Sequence, residues 1–130
     1  MVVTGGEPLN YNLNPLCSGL KAEGLSLFLE TSGSAPLSGE WDWICLSPKR
    51  EISVHNDLFL AANELKVVVL EESYLEFAEQ LAEKVNSSAL LYLQPEWSRR
   101  NVVMPRIIQY IKANPKWRIS LQSHKYMQIP

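Results

Sequence analysis

The sequence has little cysteine and little histidine: two of each in 130 residues. Cys17 and Cys45 stand on different expected elements, far apart in the chain. Two thiols fall short of the three closely grouped thiolates that hold an iron–sulfur cluster. They read instead as free thiols, buried or half-buried. His55 and His124 each lack a neighbouring Cys or His at ligand spacing, so no metal site is expected from them. No nucleophile-elbow sequence supports a Ser-His-Asp triad. Basic runs are absent as well. The 12 Lys and Arg against 14 Asp and Glu leave a net charge of −2, which argues against a nucleic-acid-coating surface. No apolar stretch approaches the ~20 residues needed to span a bilayer. The N-terminal residues have neither the basic segment nor the long apolar core of a signal peptide, so a cytoplasmic location is expected. Repeats, low-complexity tracts and linkers are also missing. With 46% hydrophobic and 20% charged residues, the expectation is one globular domain spanning residues 1–130.

What is present is concentrated at the start. Met1-Val2-Val3-Thr4-Gly5-Gly6-Glu7-Pro8 is a short apolar run that breaks into two glycines, a carboxylate and a proline. It reads as a buried strand ending in a ligand-facing turn. Two glycines let the backbone take positive φ and let a ligand approach the main chain. Pro8 suits the first position of a following helix. Such a strand end normally lies deep inside a domain, so the chain is expected to have lost what preceded it.

The elements then alternate. A weak helix is expected from Pro8 to about Ala22, starting late or containing a turn because of Asn12, Asn14 and Pro15, and stopped by Gly24. Strands follow at Leu25–Glu30 and Trp41–Leu46, with a loop between them. Asn56 to about Ala62 reads as a short helix. Glu64–Leu70 is the clearest strand: Val67, Val68 and Val69 are too continuously apolar for a one-sided sheet, which predicts a parallel strand covered on both faces. Glu71–Val85 is the clearest helix, with Leu75, Ala78, Leu81, Ala82 and Val85 on one stripe. A strand at Ala89–Leu93, a helix at Arg100–Ala113, a strand at Trp117–Leu121 and a tail without periodicity complete the chain. The fold class is therefore α/β: a parallel sheet with right-handed crossover helices.

Four motifs fall at strand ends, where ligands sit in α/β folds. Gly5, Gly6 and Glu7 offer backbone carbonyls and a carboxylate to a ligand's amino group; the alternative is an ordinary strand-to-helix turn. Thr31-Ser32-Gly33, preceded by Glu30, is a hydroxyl-rich turn or a site wall. Ser47, Pro48 and Lys49 put a hydroxyl and a flexible ammonium beside a ribose, a carboxylate or a ring edge, or else form a solvated turn. Gln94, Pro95, Glu96 and Trp97 bring an amide suited to an adenine edge and an aromatic surface for stacking, although an edge-exposed core tryptophan is equally plain. Glu64-Leu65-Lys66 begins its strand and reads as structural.

The opening string resembles the TGGEP motif of radical S-adenosylmethionine enzymes. Glu30-Thr31-Ser32-Gly33, Asp42-Trp43-Ile44-Cys45-Leu46-Ser47-Pro48-Lys49, Asn63-Glu64-Leu65-Lys66, Leu93-Gln94-Pro95-Glu96 and the terminal Leu121–Pro130 follow in order. Together they resemble, from end to end, the C-terminal part of the 7-carboxy-7-deazaguanine synthase family. The resemblance implies a partial TIM-like barrel and a lyase of queuosine biosynthesis that contracts 6-carboxy-5,6,7,8-tetrahydropterin to 7-carboxy-7-deazaguanine. It implies S-adenosyl-L-methionine, a 4Fe–4S cluster and Mg2+ as cofactors. Gly6 and its neighbours, the Ser47–Lys49 block and the Gln94–Trp97 block would line the S-adenosylmethionine site. Thr4 and the carboxylate of Pro130 would meet the pterin, and His124 would help close the site.

The family's cluster loop, its first strand or strands and its magnesium residue have no counterpart in this sequence. The expectation is a truncated form, inactive alone, with no catalytic residue of its own to name. Two other readings stay open: a non-catalytic module that still binds S-adenosylmethionine or the pterin, and an assembly module. An uncovered sheet edge or face predicts a homodimer or larger species.

Overall fold

The computed structural model describes residues 1–129. Six strands form one sheet: β1 (Val2–Val3), β2 (Phe28–Thr31), β3 (Trp43–Leu46), β4 (Glu64–Val69), β5 (Leu90–Pro95) and β6 (Trp117–Ile119). Their spatial order is the chain order, and every neighbouring pair is parallel. Between them run α1 (Asn14–Ala22), α2 (Asn56–Ala61), α3 (Ser73–Ala82) and α4 (Arg100–Ala113). A single helical turn, α5 (Ser123–Tyr126), follows β6.

Register places Leu29, Ile44, Leu65, Val67, Leu91 and Trp117 on one face of the sheet. That face packs on Leu9, Leu13 and Cys17 from the first crossover, Leu58 and Phe59 of α2, Leu75, Ala78 and Leu81 of α3, and Val103 and Ile107 of α4, making one core. The other face carries Phe28, Glu30, Trp43, Cys45, Glu64, Lys66, Tyr92 and Arg118. Sequential parallel strands with helices along one side form the wall of a β/α barrel. The expectation that β4 is covered on both faces is thereby corrected. Its residues alternate between half-buried and buried. Leu65, Val67 and Val69 point to the helices, and Lys66 and Val68 to the open face.

The boundaries shift for local reasons. The first crossover is split into a 3-10 turn, Pro8–Asn10, and α1. Asn12 Oδ1 accepts from the Asn14 amide at 3.1 Å, a turn that competes with helix, and Pro15 has no N–H to extend α1 backwards. Strand β2 begins three residues later than expected. The Leu27 amide donates to Asp42 Oδ2 (2.7 Å) instead of to a strand carbonyl. The tail, expected to be irregular, contains α5, which is too short to show a period.

Candidate functional site

Because all six strands are parallel, their C-terminal ends lie on one edge of the sheet, and the motif-bearing turns gather there. The turn after β1 is built on positive φ: +92° at Gly5 and +53° at Gly6. A Cβ at either position would meet nothing within 4 Å, so the main chain is open to an approaching group. Thr4 alternates with Val3 and so shares the open face with Val2.

Glu7 turns inward to tie this loop to the next. Its Oε1 accepts from the Leu9 amide (3.2 Å) and from Thr31 Oγ1 (2.5 Å). Its Oε2 accepts from the Ser32 amide (2.9 Å) and the Ser32 hydroxyl. Partial burial works to raise its pKa. The bonds from Ser32, Thr31 and the two amides outweigh that and hold the carboxyl below its usual range. The Glu7 carboxylate is thus engaged by four donors of this chain. The Thr31–Gly33 turn is equally set: Gly33 donates to Thr31 Oγ1 (3.0 Å) at φ +81°.

After β3, Ser47, Pro48 and Lys49 line a cavity of about 370 Å³ with Arg50, Val68 and Tyr74. That is the size of a small-molecule pocket. The Arg50 guanidinium lies 5.2 Å from the centre of the Tyr74 ring and donates to Ser73 Oγ (2.8 Å). Neither Arg50 nor Tyr74 is expected from the sequence. The only signal is a second cation directly after Pro48-Lys49.

At the end of β5, Gln94 is buried and its Oε1 accepts from Ser120 Oγ at 3.0 Å. Glu96 caps the following 3-10 turn, accepting from Ser98 Oγ (2.5 Å) and the Arg99 amide (3.1 Å). The Ser98 hydroxyl holds its carboxyl below the usual range. Trp97 meets Arg100, Lys125 and Tyr126. Pro130 lies outside the described residues.

The open face adds a group that sequence reasoning set aside as structural. Lys66 Nζ reaches Glu30 Oε1 at 2.6 Å. Cys45 lies between them on β3, and burial pushes its thiol pKa up. Among the described residues, no three His, Cys, Asp or Glu side chains are grouped so as to hold a metal ion. No helix there is long and apolar enough to cross a membrane.

No family model matches the chain. Named relatives do. A 7-carboxy-7-deazaguanine synthase of Flavobacterium psychrophilum is 48% identical over the whole chain, which covers 62% of that protein. One of Synechocystis is 45% identical over 99% of the chain and 62% of its own length. One of Prochlorococcus marinus is 37% identical over 99% of the chain and 67% of its own length. Among solved structures, QueE from Escherichia coli superposes with a TM-score of 0.83 at 30% identity, over 93% of this chain and 55% of that one. The chain thus spans roughly three-fifths of the length of most of these relatives. On the strength of the shared sequence and the shared parallel sheet, the chain belongs to the 7-carboxy-7-deazaguanine synthase family.

Proposed function

We propose that this chain forms the ligand-binding wall of a radical S-adenosylmethionine lyase that converts 6-carboxy-5,6,7,8-tetrahydropterin to 7-carboxy-7-deazaguanine. One observation carries the reading. The Gly5-Gly6, Ser47–Lys49 and Gln94–Glu96 turns come from three different crossovers, yet they share one end of the sheet around an open, polar face. S-Adenosylmethionine, when bound, supplies the 5′-deoxyadenosyl group that begins the radical chemistry. The chain's own residues bind and orient. Gly5 and Gly6 expose main-chain carbonyls to the methionyl ammonium. Ser47, Lys49 and the adjoining cavity suit a ribose and a carboxylate, and buried Gln94 suits an adenine edge. Thr4 and Glu30 look onto the space beside this site, where the pterin would lie.

The described residues offer no donor set for a 4Fe–4S cluster or for Mg2+. We assign the chain to the cytoplasm, as a single domain in a homodimer. Calorimetric titration of S-adenosylmethionine into the purified chain tests the reading. Saturable one-to-one binding, weakened by Lys49→Ala, is expected. A flat titration of a folded chain defeats it.

A further inference from the structure

Trp97 stands apart from the residues that precede it in the Gln94–Trp97 block. Its ring already has occupants. The Arg100 guanidinium carbon lies 4.1 Å from the ring centre and the Lys125 ammonium 5.5 Å from it. The Tyr126 ring meets it edge-on, with centres 5.0 Å apart and planes at 82°. Arg100 is held there by a second contact, donating from Nη1 to the Trp97 carbonyl at 2.7 Å. A nucleobase would have to displace these groups to stack on the ring.

Two of the three partners belong to the C-terminal segment. That segment has few other anchors. α5 is one turn of four residues, far too short to persist alone. Tyr126, Met127 and Ile129 are exposed. The segment folds back on itself, with Met127 donating to the Ser123 carbonyl and Ile129 to the His124 carbonyl, both at 2.9 Å. Gln128 takes a positive φ of 55° to allow this. Just upstream, Ser120 is bonded to Gln94. The residues after β6 are therefore fastened to the end of β5 and the turn beyond it: the Ser120 amide donates to the Leu93 carbonyl (2.9 Å), Ser120 Oγ donates to Gln94, and Lys125 and Tyr126 meet Trp97.

We infer that Trp97 is a positioning residue: it pins the Gln122–Ile129 segment over the Gln94–Glu96 end of the site, so that ligand occupancy there and order in the segment are coupled. The coupling rests on the site reading proposed above; the pinning does not. Two sites that bias one ordering equilibrium stabilise each other reciprocally. A ligand against Gln94 holds the segment, and the held segment slows ligand escape.

Hydrogen exchange of the full chain, read by mass spectrometry on peptides covering residues 122–129 and 90–95, tests both parts. Without ligand, Trp97→Ala speeds exchange in the tail by about tenfold or more and leaves β5 unchanged. Tyr126→Ala releases the same amides from the other side, and Trp97→Phe restores most of the protection. Tail exchange that is the same in Trp97→Ala and the parent overturns the pinning. With saturating S-adenosylmethionine, the parent's tail slows further and that of Trp97→Ala does not. Ligand binding that leaves the parent's tail exchange unchanged overturns the coupling. If the parent binds no S-adenosylmethionine, the site reading fails and the coupling with it, while the ligand-free comparison still decides what Trp97 holds.

Discussion

Lys66 Nζ stands 2.6 Å from Glu30 Oε1, reaching from β4 across β3 to β2 on the face that carries no helices. The Lys66 side chain is 14% exposed and that of Glu30 40%. Burial alone disfavours the ammonium. The bond to Glu30 and the charges of Glu30 and Glu64 oppose that cost, and the pKa of Lys66 is raised. A raised folded-state pKa contributes stability below the unfolded value of about 10.4, and that contribution is lost as pH rises through the folded value. Lys66→Met should cost about 1–2 kcal/mol at neutral pH, since Glu30 loses its partner while staying partly hydrated. The variant should also lack the parent's loss of stability above about pH 10.4. Urea denaturation at pH 7 and pH 11 checks both; equal slopes against pH in parent and variant would refute the assignment.

Glu7 predicts the opposite pH response. Its lowered pKa gives stability that is present above about 4.3 and lost as pH falls through the folded value. Glu7→Ala removes the acceptor for two hydroxyls and two amides and should cost about 2–3 kcal/mol. It should also flatten the acid limb of the stability profile. Thermal unfolding between pH 3 and pH 7 makes the comparison.

Gly6 and Gly33 separate ligand effects from folding effects. Both have positive φ. An added Cβ at Gly33 would lie 2.8 Å from Val54 Cγ1 and 2.9 Å from Leu46 Cδ1, whereas at Gly6 it would meet nothing. Gly33→Ala should therefore lose several kcal/mol of stability, from strain and overpacking together. Gly6→Ala should lose only about 1 kcal/mol of folding free energy. Its S-adenosylmethionine affinity should fall on the order of tenfold. Normal affinity in a folded Gly6→Ala would remove that turn from the site.

Glu79 on α3 accepts from Tyr110 (2.6 Å), Trp117 (2.7 Å) and Lys116 (2.5 Å), joining three elements. Trp117 is 1% exposed, so its indole N–H has no water to turn to. Glu79→Ala should destabilise by about 2–3 kcal/mol. Burial and the Glu79 bond push the Tyr110 phenol up to about 12. Ultraviolet titration should show a late-ionising tyrosine in the parent and a partial downward shift of it in Glu79→Gln, which removes the neighbouring charge and leaves the burial.

Much of the architecture was legible because the crossovers carry strong local signals. The stripe from Leu75 to Val85 and the run Val67–Val69 specify α3 and β4 with little help from distant residues. The openness of one sheet face was not legible. A run of valines looks the same whether its second face meets helices or a ligand space, and only the charge at Lys66, set in an apolar strand, hints at the latter. Glu30, ending the apolar Leu25–Leu29 run, is the same signal. The turns at the strand ends were readable from Gly5-Gly6, Ser47-Pro48-Lys49 and Gln94. The orientation of Glu7 and the partners of Trp97 were not, because Thr31, Ser32, Lys125 and Tyr126 reach them only through tertiary contacts. Arg50 and Tyr74 join across the β3 and β4 ends for the same reason.

Strand order that repeats chain order has a consequence for how the molecule is made. Each strand finds its template in the strand synthesised just before it, and each crossover helix docks on a sheet that already exists. No pairing waits for a distant partner, so loop-closure entropy is met in small steps. The sheet can lengthen one β/α unit at a time as the chain leaves the ribosome, with β6 and the segment after it added onto a finished β5.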